Sequence, residues 1–253
     1  MAAANGEPDA NLLCKVKTFA FAMLDAAVPE QQTGDYRILE VALCAVKCSM
    51  DCGYIDLSQR VIERAAVRLD VLGKSTSDSD GARLQAVTTG YYMCRICLSC
   101  LLDRPDIADH LFLKVPATRI KEDQDVFVEL CYKVGKLGLA KGQYGLAVKW
   151  LQRALAAIEF PIYNEGVDGN MKEKRFLLLH ALVRGYLNFD LVDAREYLSK
   201  ALECMEGEHG AAFPMAVFRL ELMKREGFAA QDLFQVVQTA IQSVKINGET
   251  LKM

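Results

Sequence analysis

Apolar residues recur every three or four positions along nearly the whole chain, and short polar stretches separate the runs. That period predicts helix throughout. No short run alternates strictly between turn residues, so a sheet is not expected. The first helix is expected over residues 11–27, with Leu13, Val16, Ala20 and Leu24 on one side, ending at Pro29 and a polar turn at 30–34. Helices follow over 36–51, stopped by Gly53, over 55–72, broken by Gly73 and the polar loop 74–80, and over 82–102. Pro105 opens a short helix to Lys114, where Asp106 complements the N-terminal dipole, and Pro116 breaks the chain again. Beyond the stretch 125–161, helices are expected over 171–187, 192–206, 214–225 and 231–244.

The stretch 125–161, DVFVELCYKVGKLGLAKGQYGLAVKWLQRALAAIEFP, is the most informative. It predicts two antiparallel helices turning at Lys141-Gly142-Gln143. Small residues (Gly135, Gly138, Ala147, Ala154) stand where the helices must touch, with Val134, Leu137, Val148, Leu151 and Leu155 between them. This is the pattern of a tetratricopeptide (TPR) unit. Val134-Gly135 takes its Leu-Gly place and Ala147 to Leu151 its Ala-x3-Phe place, while Cys131 and Gly138 replace the aromatic residues. Ser58, Ala108, Ala147 and Ala194 fall at equivalent places on four second helices, spaced by 50, 39 and 47 residues. A regular TPR repeats about every 34. The expected fold is therefore all-α, a degenerate TPR-like helical-hairpin solenoid wound as a right-handed superhelix. Residues 1–10 are expected to be disordered. Residues 11–253 form the solenoid, expected to be part of a longer array because no capping helix is evident. Solenoids bind other proteins far more often than they do chemistry.

Composition narrows the classes further. Hydrophobic residues make up 52% of the 253 and charged residues 25%, which suits a packed chain and not a disordered one. The net charge of −3 and the lack of a basic stripe argue against direct nucleic-acid binding. Apolar runs fall short of the roughly 20 residues a membrane span needs. The N-terminus MAAANGEPDAN has no secretory pattern. Nine cysteines, an odd number at mostly core-like positions, suit a reducing compartment.

Candidate chemistry is sparse. Cys94, Cys97 and Cys100 have iron–sulfur-like gaps, but Leu101, Leu102 and Asp103 stand where a fourth cysteine and proline belong. They are read as core cysteines on a helix. Cys44, Cys48 and Cys52 recur every fourth residue, line one helical stripe and are also read as packing. His110, His180 and His209 have no metal or catalytic spacing. The glycines lack a phosphate-loop pattern, and the acidic loop 164–170 lacks the ligand alternation of a calcium site. Tyr132 and Lys136 stand where a chaperone clamp would place its polar groups, and a clamp is disfavoured because asparagine is scarce. Trp150 is read as packed. No catalytic, cofactor-binding or metal residue is assigned, and no enzymatic activity or cofactor is expected.

Four segments carry a family resemblance: RPDIADHLFLKV at 104–115, the helix 144–159, KRFLLLHALVRGY at 174–186 and TAIQSVKINGETLK at 239–252. In this order they resemble the meiosis-specific sporulation/Zip-type family of fungi, plants and animals, whose members are long TPR proteins. The resemblance implies a non-enzymatic scaffold, nuclear and chromosome-associated, that promotes crossover formation and synapsis of homologous chromosomes. It implies protein partners, namely XPF-like proteins and synaptonemal-complex components, and carries over no site residue. The fold alone would equally suit a generic cytosolic TPR adaptor of a chaperone or ubiquitin pathway. A third reading is a helical metal or redox protein using Cys94, Cys97 and Cys100.

Overall fold

The computed structural model describes residues 9–29, 36–75, 81–116, 121–159, 169–204 and 212–243. Among them are eleven helices and no strand: α1 (Ala10–Ala27), α2 (Tyr36–Asp51), α3 (Ile55–Ser75), α4 (Gly81–Leu101), α5 (Pro105–Phe112), α6 (Lys121–Ala140), α7 (Tyr144–Glu159), α8 (Gly169–Tyr186), α9 (Leu191–Cys204), α10 (Ala212–Glu226) and α11 (Ala230–Ser243). They pack in consecutive pairs, as a helical-repeat solenoid does. The chain divides into two compact units, residues 1–130 and 131–253, and the division falls within α6.

The turn inside most pairs follows one rule. Gly53, Asp103, Gly142 and Gly227 take φ of +78°, +62°, +71° and +80°. Their N–H groups donate to the carbonyls of Met50, Cys100, Leu139 and Lys224. The next residues, Tyr54, Arg104, Gln143 and Phe228, donate to Ser49, Ser99, Gly138 and Met223. These paired bonds are Schellman motifs, which satisfy the last carbonyls of a helix through one left-handed residue. The turn between α8 and α9 differs: the Asp190 carboxylate accepts from the N–H groups of Val192 (3.0 Å) and Asp193 (3.2 Å) and caps α9. Ser58, Ala108, Ala147 and Ala194, placed as equivalent by sequence, are each the fourth residue of their helix and fully buried.

In the first unit α2 packs against α1, α3 and α4, and α4 against α3 and α5. A Cβ on Gly90 would lie 2.9 Å from Leu43 Cδ1, so a glycine lets α4 approach α2. In the second unit α8 packs on α7, α9 and α10, and α10 on α9 and α11. A Cβ on Gly135 would lie 2.5 Å from Leu151 Cγ, and one on Gly138 would lie 3.0 Å from Ala147 Cβ. The glycines and alanines of 125–161 therefore do set the closest approach of α6 to α7. Gly185 plays the same part between α8 and Val148 of α7.

Several sequence expectations shift. Gly73 does not end α3, which runs on to Ser75. A glycine weakens a helix by about 1 kcal/mol but stops it only where a left-handed turn is needed, and the Asp70–Lys74 ion pair (2.6 Å) spans this position. The helix expected from residue 125 starts at Lys121, because Lys121, Glu122 and Gln124 are polar yet good helix formers. The stripe Leu13, Val16, Ala20 and Leu24 does not face the core. All four are exposed, and α1 buries Cys14 and Phe21 instead. Its apolar residues surround the helix, so period alone does not pick the buried side. The side is fixed by polar partners. Asp25 accepts from Arg64 Nε (2.9 Å) and Arg68 Nε (2.8 Å) of α3. Arg68, only 7% exposed, also donates to the carbonyls of Asp25, Val28 and Pro29. Of the segment expected to be disordered, residues 1–8 lie outside the described residues, as do the turn 30–34 and most of the polar loop after α3.

Candidate functional site: interaction surfaces and a thiol cluster

Each unit carries an open surface groove between its helices. In the first unit, Leu69, Asp70 and Lys74 of α3 face Thr88, Tyr91, Tyr92 and Arg95 of α4 across a groove of about 480 Å³. The rings of Tyr91 and Tyr92 meet edge to face at 5.3 Å, and Arg95 Nη1 donates to Tyr91 Oη (3.1 Å). Burial pushes the Tyr91 hydroxyl up against the opposing pull of Arg95, so it stays neutral. In the second unit, α10 and α11 enclose about 490 Å³ lined by Met215, Met223, Phe228 and Val236, with Arg219 and Asp232 among the other lining residues. Methionine adapts to irregular apolar partners. Phe234 (64% exposed) and Ile241 (64%) leave α11 with uncovered apolar surface.

A polar cluster stiffens the second unit. Gln152 Nε2 donates to Tyr186 Oη (2.6 Å) and Tyr197 Oη (3.3 Å), and the two rings stack at 5.1 Å. Burial, then the neighbouring Tyr197 and Asp193, pushes the Tyr186 hydroxyl far up.

The residues singled out in the sequence are scattered. Cys94, Cys97 and Cys100 are buried along α4, and Cys131 is fully buried, with its thiol pushed far up by burial. Trp150 is fully buried, with the Arg153 guanidinium 4.3 Å from its ring centroid. His110 is exposed on α5. His180 is half-buried 4.7 Å from Phe218, and burial, then Arg184, holds its pKa down, so it is neutral at pH 7. His209 lies outside the described residues, as do positions 164–168 of the acidic loop. Lys136, exposed on α6, places its Nζ 5.6 Å over the ring of the half-buried Tyr132.

The stripe Cys44, Cys48 and Cys52 needs correcting. Cys44 is exposed and Cys48 and Cys52 are half-buried, because the stripe faces the edge of the α1–α2 contact and not its middle. Sequence reasoning missed Cys14. Its sulfur joins those of Cys48 and Cys52, all within 4.8 Å of one another, the only such group of three ligands among the described residues. Cys14 Sγ lies 3.3 Å from Ser49 Oγ, and Cys52 Sγ donates to the Ala10 carbonyl (3.5 Å). Lys17 is held above its ordinary pKa, chiefly by a hydrogen bond with Cys44 and less by the charges of Cys44, Cys48 and Cys14, against burial. Burial pushes Cys48 up; Lys17 opposes this and Cys14 adds to it. Burial, then Cys14 and Cys48, pushes Cys52 up. Thiols raised in this way are poor nucleophiles, which argues against covalent catalysis.

A family model described as "Meiosis protein SPO22/ZIP4 like" matches residues 101–253, from the end of α4 through α11. The chain belongs to the SPO22/ZIP4-like family. The resemblance drawn from residues 104–115, 144–159, 174–186 and 239–252 points to the same family, and all four segments lie within the match. The α10/α11 groove and the Gln152–Tyr186–Tyr197 cluster lie in the SPO22/ZIP4-like portion, whereas the thiol cluster lies before it. No curated protein matches the chain. Among the described residues, no helix is long and apolar enough to cross a membrane.

Proposed function

We propose that this SPO22/ZIP4-like chain is a non-enzymatic helical-repeat scaffold that acts in the nucleus, on meiotic chromosomes, and promotes crossover formation and synapsis by holding other proteins. The family match over residues 101–253 carries the reading. The paired helices support it, since stacked helical pairs present grooves that can hold other proteins. The methionine-lined groove of α10 and α11, with Phe228, Phe234 and Ile241 around it, is the surface best suited to a protein partner. The test is to tag the protein at its own locus, image spread meiotic chromosomes and count crossovers in a deletion strain. Foci along paired chromosomes and fewer crossovers support the scaffold. Diffuse cytosolic signal with normal crossover numbers favours a general adaptor.

A further inference from the structure

The thiol cluster is independent of that reading, since it lies outside the family-matched residues. Cys14 comes from the first half of α1. Cys48 and Cys52 stand one helical turn apart at the end of α2, so their side chains share a face. Cys52 sits on the helix-ending turn, its N–H bonded to the Cys48 carbonyl and the left-handed Gly53 next in the chain. Three sulfurs from two helices thus converge within 4.8 Å. Packing alone does not require convergence, and Cys94, Cys97 and Cys100, buried on a single helix, form no such group.

We propose that Cys14, Cys48 and Cys52 bind a thiophilic d10 cation, Zn²⁺ or Cu⁺, and that the ion clamps α1 onto α2. Metal–sulfur bonds of about 2.3 Å place the sulfurs of a tetrahedral zinc site roughly 3.8 Å apart. Side-chain rotation closes the remaining gap. Three thiolates suffice for Cu⁺, and Zn²⁺ takes water as a fourth ligand, which the half-exposed Cys48 and Cys52 admit. Each thiol releases its proton to solvent as its sulfur bonds the ion. Lys17, already within electrostatic reach of Cys14, Cys44 and Cys48, offsets the excess negative charge of three thiolates. The clamp has work to do. Much of α1 is exposed, including Leu12, Val16, Phe19 and Met23, and Asp25 ties down only its far end.

The full chain, reduced and stripped of metal, is titrated separately with Zn²⁺ and with Cu⁺ against chelators of known affinity. About one equivalent of one ion is expected to bind. Cys48→Ser and Cys52→Ser should each weaken binding by more than about tenfold, since loss of an outer-shell partner alone costs about that much. Cys204→Ser, remote on α9, should not change it. Circular dichroism confirms that the variants fold. Co²⁺ in the zinc arm should give a thiolate charge-transfer band, and the bound ion should slow amide exchange in α1. Equal binding by wild type and Cys48→Ser overturns the site, as does failure of both ions to compete with a micromolar chelator. Protein that holds a Cys14–Cys48 or Cys14–Cys52 disulfide, and takes up neither ion once reduced, also overturns it. Binding that leaves α1 exchange unchanged overturns the clamp.

Discussion

Gly135 and Gly145 respond oppositely to the same added methyl group. At Gly135 a Cβ would meet Leu151 Cγ at 2.5 Å, so Gly135→Ala is expected to destabilise the protein by about 2 kcal/mol in a urea melt. At Gly145, on α7 with nothing within 4 Å, Gly145→Ala should stabilise it by about 0.5 kcal/mol through the unfolded chain. Equal effects would mean that α6 and α7 are not in close contact. The sequence marked Gly135 as an interface residue because bulky and small residues interleave around it. It did not mark Gly90 or Gly185, which also make approaches under 3.0 Å, because no small residue faces them: each meets the tip of a Leu or Val side chain. The thiol cluster was half legible. The fourfold spacing of Cys48 and Cys52 is visible in the chain, whereas the approach of Cys14 depends on how α1 sits on α2.

At the scale of the element, helices and their turns were legible at Gly53, Pro105 and Gly142, whereas Gly73 reads as a stop and is not one. Asp103 closes an identical turn without any compositional marker. The orientation of α1 was not legible, since its apolar residues surround it and the deciding contact is the Asp25 pairing with Arg64 and Arg68. That pairing makes a pH prediction. Burial alone would raise the Asp25 carboxyl, but the hydrogen bonds and charges of Arg64 and Arg68 outweigh it and hold it below the usual range. Its stabilising effect is full above the unfolded value of about 3.9 and is lost as pH falls through the lower folded value. The melting temperature is therefore expected to hold between about pH 7 and 5 and to fall in stronger acid. Asp25→Asn should cost roughly 2 kcal/mol at neutral pH and show a smaller acid loss. A wild-type acid profile unchanged in that variant would remove Asp25 from the account.

For the molecule as a whole, the uncovered side of α11 is where the proposed partner binding and folding stability can be separated. Phe234 and Ile241 are mostly exposed, so the double change Phe234→Asp, Ile241→Asp should shift folding stability by less than about 1 kcal/mol. It should nonetheless reduce meiotic foci severalfold if the α10/α11 surface holds a partner; undiminished foci would move the partner elsewhere. Which groove would hold a partner was not legible in the chain, because the lining of the α10/α11 groove comes from distant residues such as Leu202 and Thr239. The turns that close the pairs bear on how the protein is made. Each Schellman turn joins neighbours in the chain, such as Tyr54 to Ser49 and Gln143 to Gly138, and most helices pack on the helix before or after them. Contacts of short reach form quickly and need no distant part of the chain. A pair such as α2 with α3 can therefore make its own contacts once residue 75 has left the ribosome, while the face of α2 that meets α4 is covered only when the next helix follows.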